Sequence, residues 1–286
     1  MLMSTRRCAQ RQFLLRPSQA TNELFRYVLA VSAQQHGIAL HACVALSDHY
    51  HIAATDPHGR FPAFQQHMNS LLARNLNRRL RRRESFWAPG SYNAVTLVTP
   101  EDAFAKIVYI LANPVSAALV ECASEWPGVW TPPELIGTGP LAVRRPDDFF
   151  LDDGPMPDSA MLDFVPLPGH DAEGFRRRLS GALAQREEEV SRELARDGRM
   201  FMGAARVLAQ DPFARAVTPE AARRLRPRIA CLNLESRKEA IARLRSFLAE
   251  YHAAWLAFAR GMRETVFPHG TYWMKVAYRV RCAASG

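Results

Sequence analysis

Two histidines flank a single tyrosine in the stretch SDHYHIAATD, residues 47–56. Residues i and i+2 of a β-strand point to the same face, so the side chains of His49 and His51 are expected side by side, with Tyr50 on the opposite face. Imidazole nitrogens are common ligands of divalent metal ions. Two ligands alone do not define a metal site, and two ordinary histidines remain the alternative.

A tyrosine and an asparagine lie four residues apart in YILANPVSAALV, at positions 109 and 113. This spacing places Tyr109 and Asn113 on one face of a helix. An amide oxygen suits Mg²⁺ or Mn²⁺, and a phenol oxygen can act as a nucleophile. The residues predict a metal held by His49, His51 and Asn113, with Tyr109 attacking a phosphodiester. The alternatives are a core aromatic for Tyr109 and a helix end for Asn113.

The elements that would position these residues follow from apolar spacing, caps and breakers. In chain order the sequence predicts a strand at residues 11–17, a helix ending at Gly37, a hairpin with its second strand at residues 49–53, a helix from residue 61, a strand at residues 91–98 and a helix capped by Thr99 and broken near Pro114. This order predicts an α+β fold of the ferredoxin-like, split βαβ type. Its antiparallel sheet is expected to carry helices on one face.

Composition divides the chain into three predicted parts. Residues 1–126 hold the motifs and form the first domain. Residues 127–159 are rich in Pro, Gly and Asp and predict a linker, packed on the first domain through Trp126 and Trp130. Residues 160–286 predict a mostly α-helical region of unknown role. Its best-defined helix is expected to begin with a capping box of Ser236 and Glu239 and to bury an apolar stripe from residue 241 to residue 258.

The chain of 286 residues is basic, with a formal net charge of +9 and an isoelectric point near 9.7. Arginine forks match phosphate geometry, so this balance favours a nucleic-acid partner. Six arginines cluster in RNLNRRLRRR and predict DNA-backbone contact: Arg74, Arg78, Arg79, Arg81, Arg82 and Arg83. A solvated helix end is the alternative for this cluster. Trp87 follows and is expected to stack on unpaired bases, or else to belong to the core.

Other function classes are disfavoured by what the sequence lacks. The five cysteines form no CxxC pair, which argues against a zinc ribbon and a disulfide framework. No stretch approaches the roughly 20 apolar residues that a membrane span needs. The basic N-terminal stretch is not followed by an apolar run, so no secretion signal is expected and a bacterial cytoplasmic location, at the nucleoid when DNA is bound, is predicted.

The stretch SDHYHI together with YILANPVSAALV resembles the HUH single-tyrosine transposases, especially their REP-associated branch, over residues 5–130. This resemblance implies a single-stranded DNA endonuclease and strand transferase whose tyrosine becomes linked to a 5′ phosphate. Carried over by position, the nucleophile is Tyr109, and the ligands of Mg²⁺ or Mn²⁺ are His49, His51 and Asn113. The resemblance also implies single-stranded or hairpin DNA as partner and a homodimer.

The sequence departs from the family pattern beside the first histidine. Ser47 and Asp48 stand where Pro-Asn is usual, and Asp48 adds a negative charge near the expected metal. Tyr50 replaces an aliphatic residue and becomes a rival nucleophile, although strand alternation points it away from the metal. Two further functions stay open: a domesticated protein that binds hairpin DNA or RNA without cutting it, and a metal-dependent phosphodiesterase that uses water. The intact set of four site residues favours the transposase.

Overall fold

The computed structural model describes residues 1–90, 92–151, 153–217 and 228–284. The chain separates into two compact units, Met1–Arg228 and Ile229–Gly286. The first unit contains β1 (Leu2–Arg7), α1 (Gln19–His36), β2 (Ala39–Ala45), β3 (His49–Thr55), α2 (Phe61–Arg79), β4 (Asn93–Leu97), α3 (Pro100–Leu111), α4 (Asn113–Ser116), β5 (Leu141–Arg144), β6 (Ser159–Leu162), α5 (Ala172–Arg196) and α6 (Ala204–Leu208). Within the described residues, no helix is both long and apolar enough to span a bilayer.

The strands β1 to β4 form the sheet of the first unit in the order β2-β3-β1-β4, and each neighbouring pair is antiparallel. With α1, α2 and α3 between or after the strands, this confirms the predicted α+β class and the ferredoxin-like order. Ser91, which begins the stretch predicted as the fourth strand, lies outside the described residues.

The first strand lies earlier than predicted. It spans Leu2–Arg7, whereas residues 12–17 form a loop that follows Gln10 and Arg11, both in the left-handed backbone region. Leu14 and Leu15 are nevertheless buried. A short apolar run therefore marked a loop anchored in the core, which local pattern alone does not distinguish from a strand.

Helices cover both faces of the sheet, which corrects the prediction of helices on one face. The ring of Phe25 in α1 lies 5.6 Å from that of Tyr50, and Tyr50 also contacts Gln65 in α2. The ring of Tyr109 in α3 contacts His51 instead. Because Tyr50 and His51 are neighbours on β3, their side chains point to opposite faces. α1 and α2 therefore lie on one face and α3 on the other.

The start of the predicted linker, residues 127–131, lies along the edge of β2. The indole Nε1 of Trp126 donates to the carbonyl of Ala45 at 3.0 Å, and Trp130 forms an antiparallel bridge with Val44. These contacts agree with the expected packing of both tryptophans. The proline- and glycine-rich stretch thus pairs with backbone groups that an edge strand would otherwise leave unpaired.

The long helix α5 packs against α3 and α4. Its Val190 and Leu194 share an apolar cluster with Val115 of α4. Near its start, the ring of Phe175 lies 5.9 Å from that of Phe104 in α3. The α3 helix is therefore in contact with the sheet on one side and with α5 on another.

The second unit contains β7 (Ile229–Ala230), α7 (Leu234–Ala259), β8 (Val266–Phe267), α8 (Trp273–Tyr278) and β9 (Arg281–Cys282). The α7 helix is capped by Asn233, which accepts from the backbone of Ser236 at 2.9 Å, so the predicted start at Ser236 is wrong by a few residues. Leu248 and Trp255 of its apolar stripe are exposed. The stripe is thus only partly the predicted core. Tyr251 and Phe258 pack against the buried cluster that contains Phe267, whereas this small unit leaves Leu248 and Trp255 uncovered.

Candidate active site

The two histidines lie side by side on β3. The ring centroids of His49 and His51 are 4.8 Å apart, with the rings nearly perpendicular. Tyr50 is fully buried on the opposite face, where its hydroxyl lies within 3 Å of side-chain oxygens of Gln65 and Asn69. Burial raises the pKa of Tyr50 far above its usual value. A buried phenol that is harder to ionise is a poor candidate for a nucleophile.

Each imidazole is oriented by an oxygen at its Nδ1. Nδ1 of His49 donates to the carboxylate of Asp48 at 2.6 Å, and Nδ1 of His51 lies 2.7 Å from the hydroxyl of Thr5 on β1. A ring held through Nδ1 binds a metal through Nε2, and such partners are typical of metal-ligating histidines. Both imidazoles are therefore oriented as two ligands of a divalent metal ion would be.

The Asp48 carboxylate is ionised at neutral pH. Burial acts to raise the pKa of Asp48, but the hydrogen bond and charge of His49, together with Arg7 and Arg11, hold that pKa below its ordinary value. A full negative charge therefore faces the His49 ring.

The tyrosine of the motif lies beside the histidines. The α3 helix begins with a capping box between Thr99 and Asp102, as the sequence predicts for Thr99. It buries Ile107 and Ile110 but leaves Tyr109 44% exposed. The Tyr109 ring lies 5.8 Å from the ring of His51. Tyr109 is thus not a core aromatic, and its solvent-accessible side chain lies on the histidine face of the sheet.

A cation also lies close to Tyr109. The Lys106 ammonium, one turn earlier on α3, is 5.2 Å from the centre of the tyrosine ring. A lysine ammonium over an aromatic ring is attracted by the electron-rich face of the uncharged ring. Lys106 therefore adds a positive charge to the surface from which Tyr109 projects.

Asn113 follows at the break between two helices. The backbone of Ala112 stays in the right-handed helical region, and α4 begins at Asn113. Pro114 has no N–H to continue the hydrogen bonds of α3, so the predicted break is confirmed. Asn113 is buried. The contact that joins α3 to the histidines is the one between the rings of Tyr109 and His51.

The histidine pair alone is an incomplete set of metal ligands. In the described part of the chain, no three His, Cys, Asp or Glu side chains are arranged to hold a metal ion. Asn113 would be the further protein ligand. Catalytic sites usually keep positions open for substrate or water, so a small protein set is compatible with that role.

The predicted DNA-binding arginines lie at the end of α2 and in the following loop. Five are exposed, and they are Arg74, Arg78, Arg79, Arg81 and Arg83. Arg82 differs, because its side chain is 9% exposed and donates to Gln12 at 2.7 Å. Arg82 is therefore positioned as a structural residue. The other five are exposed, although Arg79 also lies 3.7 Å from the Asp148 carboxylate and 5.6 Å from the centre of the Phe149 ring.

Trp87 does not have the exposure that stacking on bases requires, so this expectation is corrected. Its side chain is 6% exposed, and its indole donates to the carbonyl of Asn69 at 2.9 Å. The ring packs edge-on against Tyr50 and Phe86. The alternative, that Trp87 belongs to the core, is the one that the structure shows.

Replacing Trp87 with Ala should lower the free energy of unfolding by about 3–5 kcal/mol, because a large buried ring and its hydrogen bond are lost. Chemical denaturation monitored by circular dichroism measures this change. DNA affinity per folded molecule should stay unchanged. A variant of normal stability that no longer binds DNA would instead return Trp87 to the DNA interface.

Two residues near the site escaped the sequence analysis. Thr5 was missed because the first strand was placed at residues 11–17, and a lone threonine carries no motif. Lys106 was missed because a lysine on an amphipathic helix looks like an ordinary surface residue. The antiparallel register, in which Thr5 opposes His51, would have identified Thr5 once β1 was known.

Comparison with known proteins finds few similarities. No protein-family model matches the chain. No curated protein matches it either.

Two solved structures are similar, and both are described as transposases. One is a REP-associated tyrosine transposase bound to a REP hairpin, with 18% identity over 44% of this chain and 73% of that chain and a TM-score of 0.37. The other is a candidate transposase from Deinococcus radiodurans R1, with 19% identity over 39% of this chain and 88% of that chain and a TM-score of 0.30. At these values the likeness carries no argument about activity, which must come from the site.

Proposed function

We propose that this chain is a single-stranded DNA endonuclease and strand transferase of the HUH type, acting as a transposase. The observation that carries the proposal is the exposed Tyr109 ring 5.8 Å from His51, on the face of the sheet that also holds His49. The test is to incubate the protein with single-stranded hairpin DNA and Mg²⁺ or Mn²⁺. We expect a covalent link to form between Tyr109 and the DNA.

The reaction is a transesterification at phosphorus. The phenol oxygen of Tyr109 loses its proton and attacks the scissile phosphate, and the bond from phosphorus to the 3′ oxygen breaks. One product carries a free 3′ hydroxyl, and the other has its 5′ phosphate joined to Tyr109. Attack by a 3′ hydroxyl on this link reverses the step and rejoins DNA. The number of phosphodiester bonds is conserved, so no external energy source is required.

The residues that would hold Mg²⁺ or Mn²⁺ are His49 and His51 through Nε2, with Asn113 through its amide oxygen. The chemistry that such an ion supplies is polarisation of the scissile phosphate. The chain itself contributes the position of Tyr109, which the capped α3 helix fixes against the sheet, and the Lys106 charge near it.

The DNA partner is expected to run along the exposed arginines at the end of α2. Replacing Arg81 and Arg83 together with Ala should weaken binding of single-stranded DNA and flatten its salt dependence. Each lost phosphate contact should reduce the slope of log K against log salt by about 0.7. Binding measured by fluorescence anisotropy at several salt concentrations gives both quantities.

The matched control removes two exposed arginines from α5, Arg192 and Arg196, which lie far along the chain from the cluster. This control changes net charge equally and should leave the slope close to the wild-type value. Equal slopes in wild type and in the Arg81 and Arg83 variant would assign the cluster to a solvated helix end.

Both parts of the proposed site belong to one chain. The proposal takes Tyr109 and the histidines from the same chain, because the Tyr109 ring lies 5.8 Å from the ring of His51. A homodimer, which the resemblance implies, would carry two such sites. A protein that only binds hairpin DNA or RNA has no use for an exposed tyrosine beside two histidines, and the adduct experiment separates it from the transposase.

A further inference from the structure

The two histidines of the site are held by partners of different chemistry. His49 has the Asp48 carboxylate at 2.6 Å, whereas His51 has the Thr5 hydroxyl at 2.7 Å. The side chain of His49 is 22% exposed, and His51 is 5% exposed. His49 is therefore less restrained by packing than His51, and its partner is the charged one.

Asp48 is itself fixed in the turn between β2 and β3. Its carbonyl accepts from the backbone N–H of Cys8 at 2.7 Å, and Leu46 donates to the carbonyl of His49 at 2.8 Å across the same turn. The Asp48 side chain is 15% exposed. Because the turn is anchored and the carboxylate is partly buried, the charge-assisted hydrogen bond between Asp48 and His49 keeps a defined geometry.

We propose that Asp48 is a positioning residue that holds His49 in the Nδ1–H tautomer and directs its Nε2 toward a divalent metal ion. The carboxylate is no ligand of that ion, because it occupies the Nδ1 side of the ring while the metal binds at Nε2. The metal part of this inference rests on the proposed function. A carboxylate behind a ligating imidazole also makes the ligand more basic, and loss of such partners commonly lowers metal affinity about 10-fold to 100-fold.

Two substitutions of Asp48 separate the effect of its hydrogen bond with His49 from the effect of its negative charge. Asp48→Asn keeps an oxygen that can accept from Nδ1 but removes the charge, whereas Asp48→Ala removes both. Mn²⁺ affinity should fall by about 10-fold to 100-fold in Asp48→Ala, with an intermediate loss in Asp48→Asn. Thr5→Val is the matched control at the other histidine, where a neutral partner is lost and a smaller fall is expected.

The experiment uses the full chain without DNA and has two readouts. Nitrogen-15 NMR of the metal-free protein at about pH 8, above the ordinary pKa of a free imidazole, reports the ring tautomers. Paramagnetic resonance titration with Mn²⁺ alone reports affinity. Wild type should show His49 as the Nδ1–H tautomer, and Asp48→Ala should show a mixture of tautomers and weaker Mn²⁺ binding, with the thermal unfolding of each variant as a folding control.

The outcomes that overturn the inference differ from those that overturn the proposed function. Wild-type Mn²⁺ affinity in Asp48→Ala, or an unchanged His49 tautomer, would overturn the role of Asp48 alone. Absence of Mn²⁺ binding in wild type would overturn the proposed metal site, and with it the metal part of the role. A fall in Thr5→Val as large as that in Asp48→Ala would show that the carboxylate has no special part.

Discussion

Replacing Tyr109 with Phe should abolish the covalent protein–DNA adduct and reduce strand cleavage by at least about a thousandfold. The substitution removes one oxygen, the atom that would attack phosphorus, and loss of a covalent nucleophile typically costs this much or more. Because Tyr109 is exposed, the fold should be unaffected. End-labelled single-stranded hairpin DNA, separated on a denaturing gel after incubation with Mg²⁺ or Mn²⁺, measures both products.

Tyr50→Phe is the matched control, since the same oxygen is removed from a tyrosine two residues from Asp48. Its hydroxyl is bonded in the core, so this variant should lose about 1 kcal/mol or more of stability and keep the adduct. An adduct that survives in Tyr109→Phe and is lost in Tyr50→Phe would reverse the assignment. Cleavage by both proteins without any adduct would indicate hydrolysis by water, and binding without cleavage in wild type would indicate a domesticated binder.

Replacing His49 with Ala should reduce metal-dependent cleavage by at least about 100-fold, or roughly 2.7 kcal/mol, because one of the two imidazole ligands is lost. Binding of the same DNA should change by less than about threefold. Phosphate contacts supply most of the affinity for DNA, and the exposed arginines are untouched by this substitution. Cleavage assays and gel shifts on one protein preparation give the two numbers.

His58→Ala removes an exposed imidazole from the same unit and serves as the control for loss of a histidine. Its cleavage should equal that of wild type. If His49→Ala lost binding and cleavage in equal proportion, the histidine would belong to the DNA interface, and the separation of metal and DNA roles would be wrong.

Local signals in the sequence were sufficient for most of the fold. Gly37 ends α1 in the left-handed region, and Thr99 caps α3, because both effects depend only on residues within one turn. The position of β1 could not be obtained in this way. The apolar pair Leu14 and Leu15 resembles a strand as closely as residues 2–7 do, and only long-range pairing decides between them.

The candidate site, like the fold, was predicted from the sequence where local spacing decides the arrangement and not where long-range contacts decide it. Strand alternation put His49 and His51 on one face and Tyr50 on the other, as the structure shows. The shared face of Tyr109 and Asn113 stays a prediction, because α3 ends between them. The burial of Trp87 and Arg82 and the approach of Thr5 to His51 depend on contacts between residues distant in sequence. A pattern of residue types carries no information about such contacts.

The placement of α3 has a consequence for how DNA ends would be exchanged. One side of α3 is packed on the sheet, α5 contacts it at Phe104, and the Trp130 indole donates to the Leu111 carbonyl at its last turn at 3.0 Å. To carry a bound strand elsewhere, this helix would have to give up all three attachments at once. The cut end joined to Tyr109 would therefore stay where it was made. In rejoining, the incoming DNA strand would therefore have to move to Tyr109, because α3 would hold the attached strand in place.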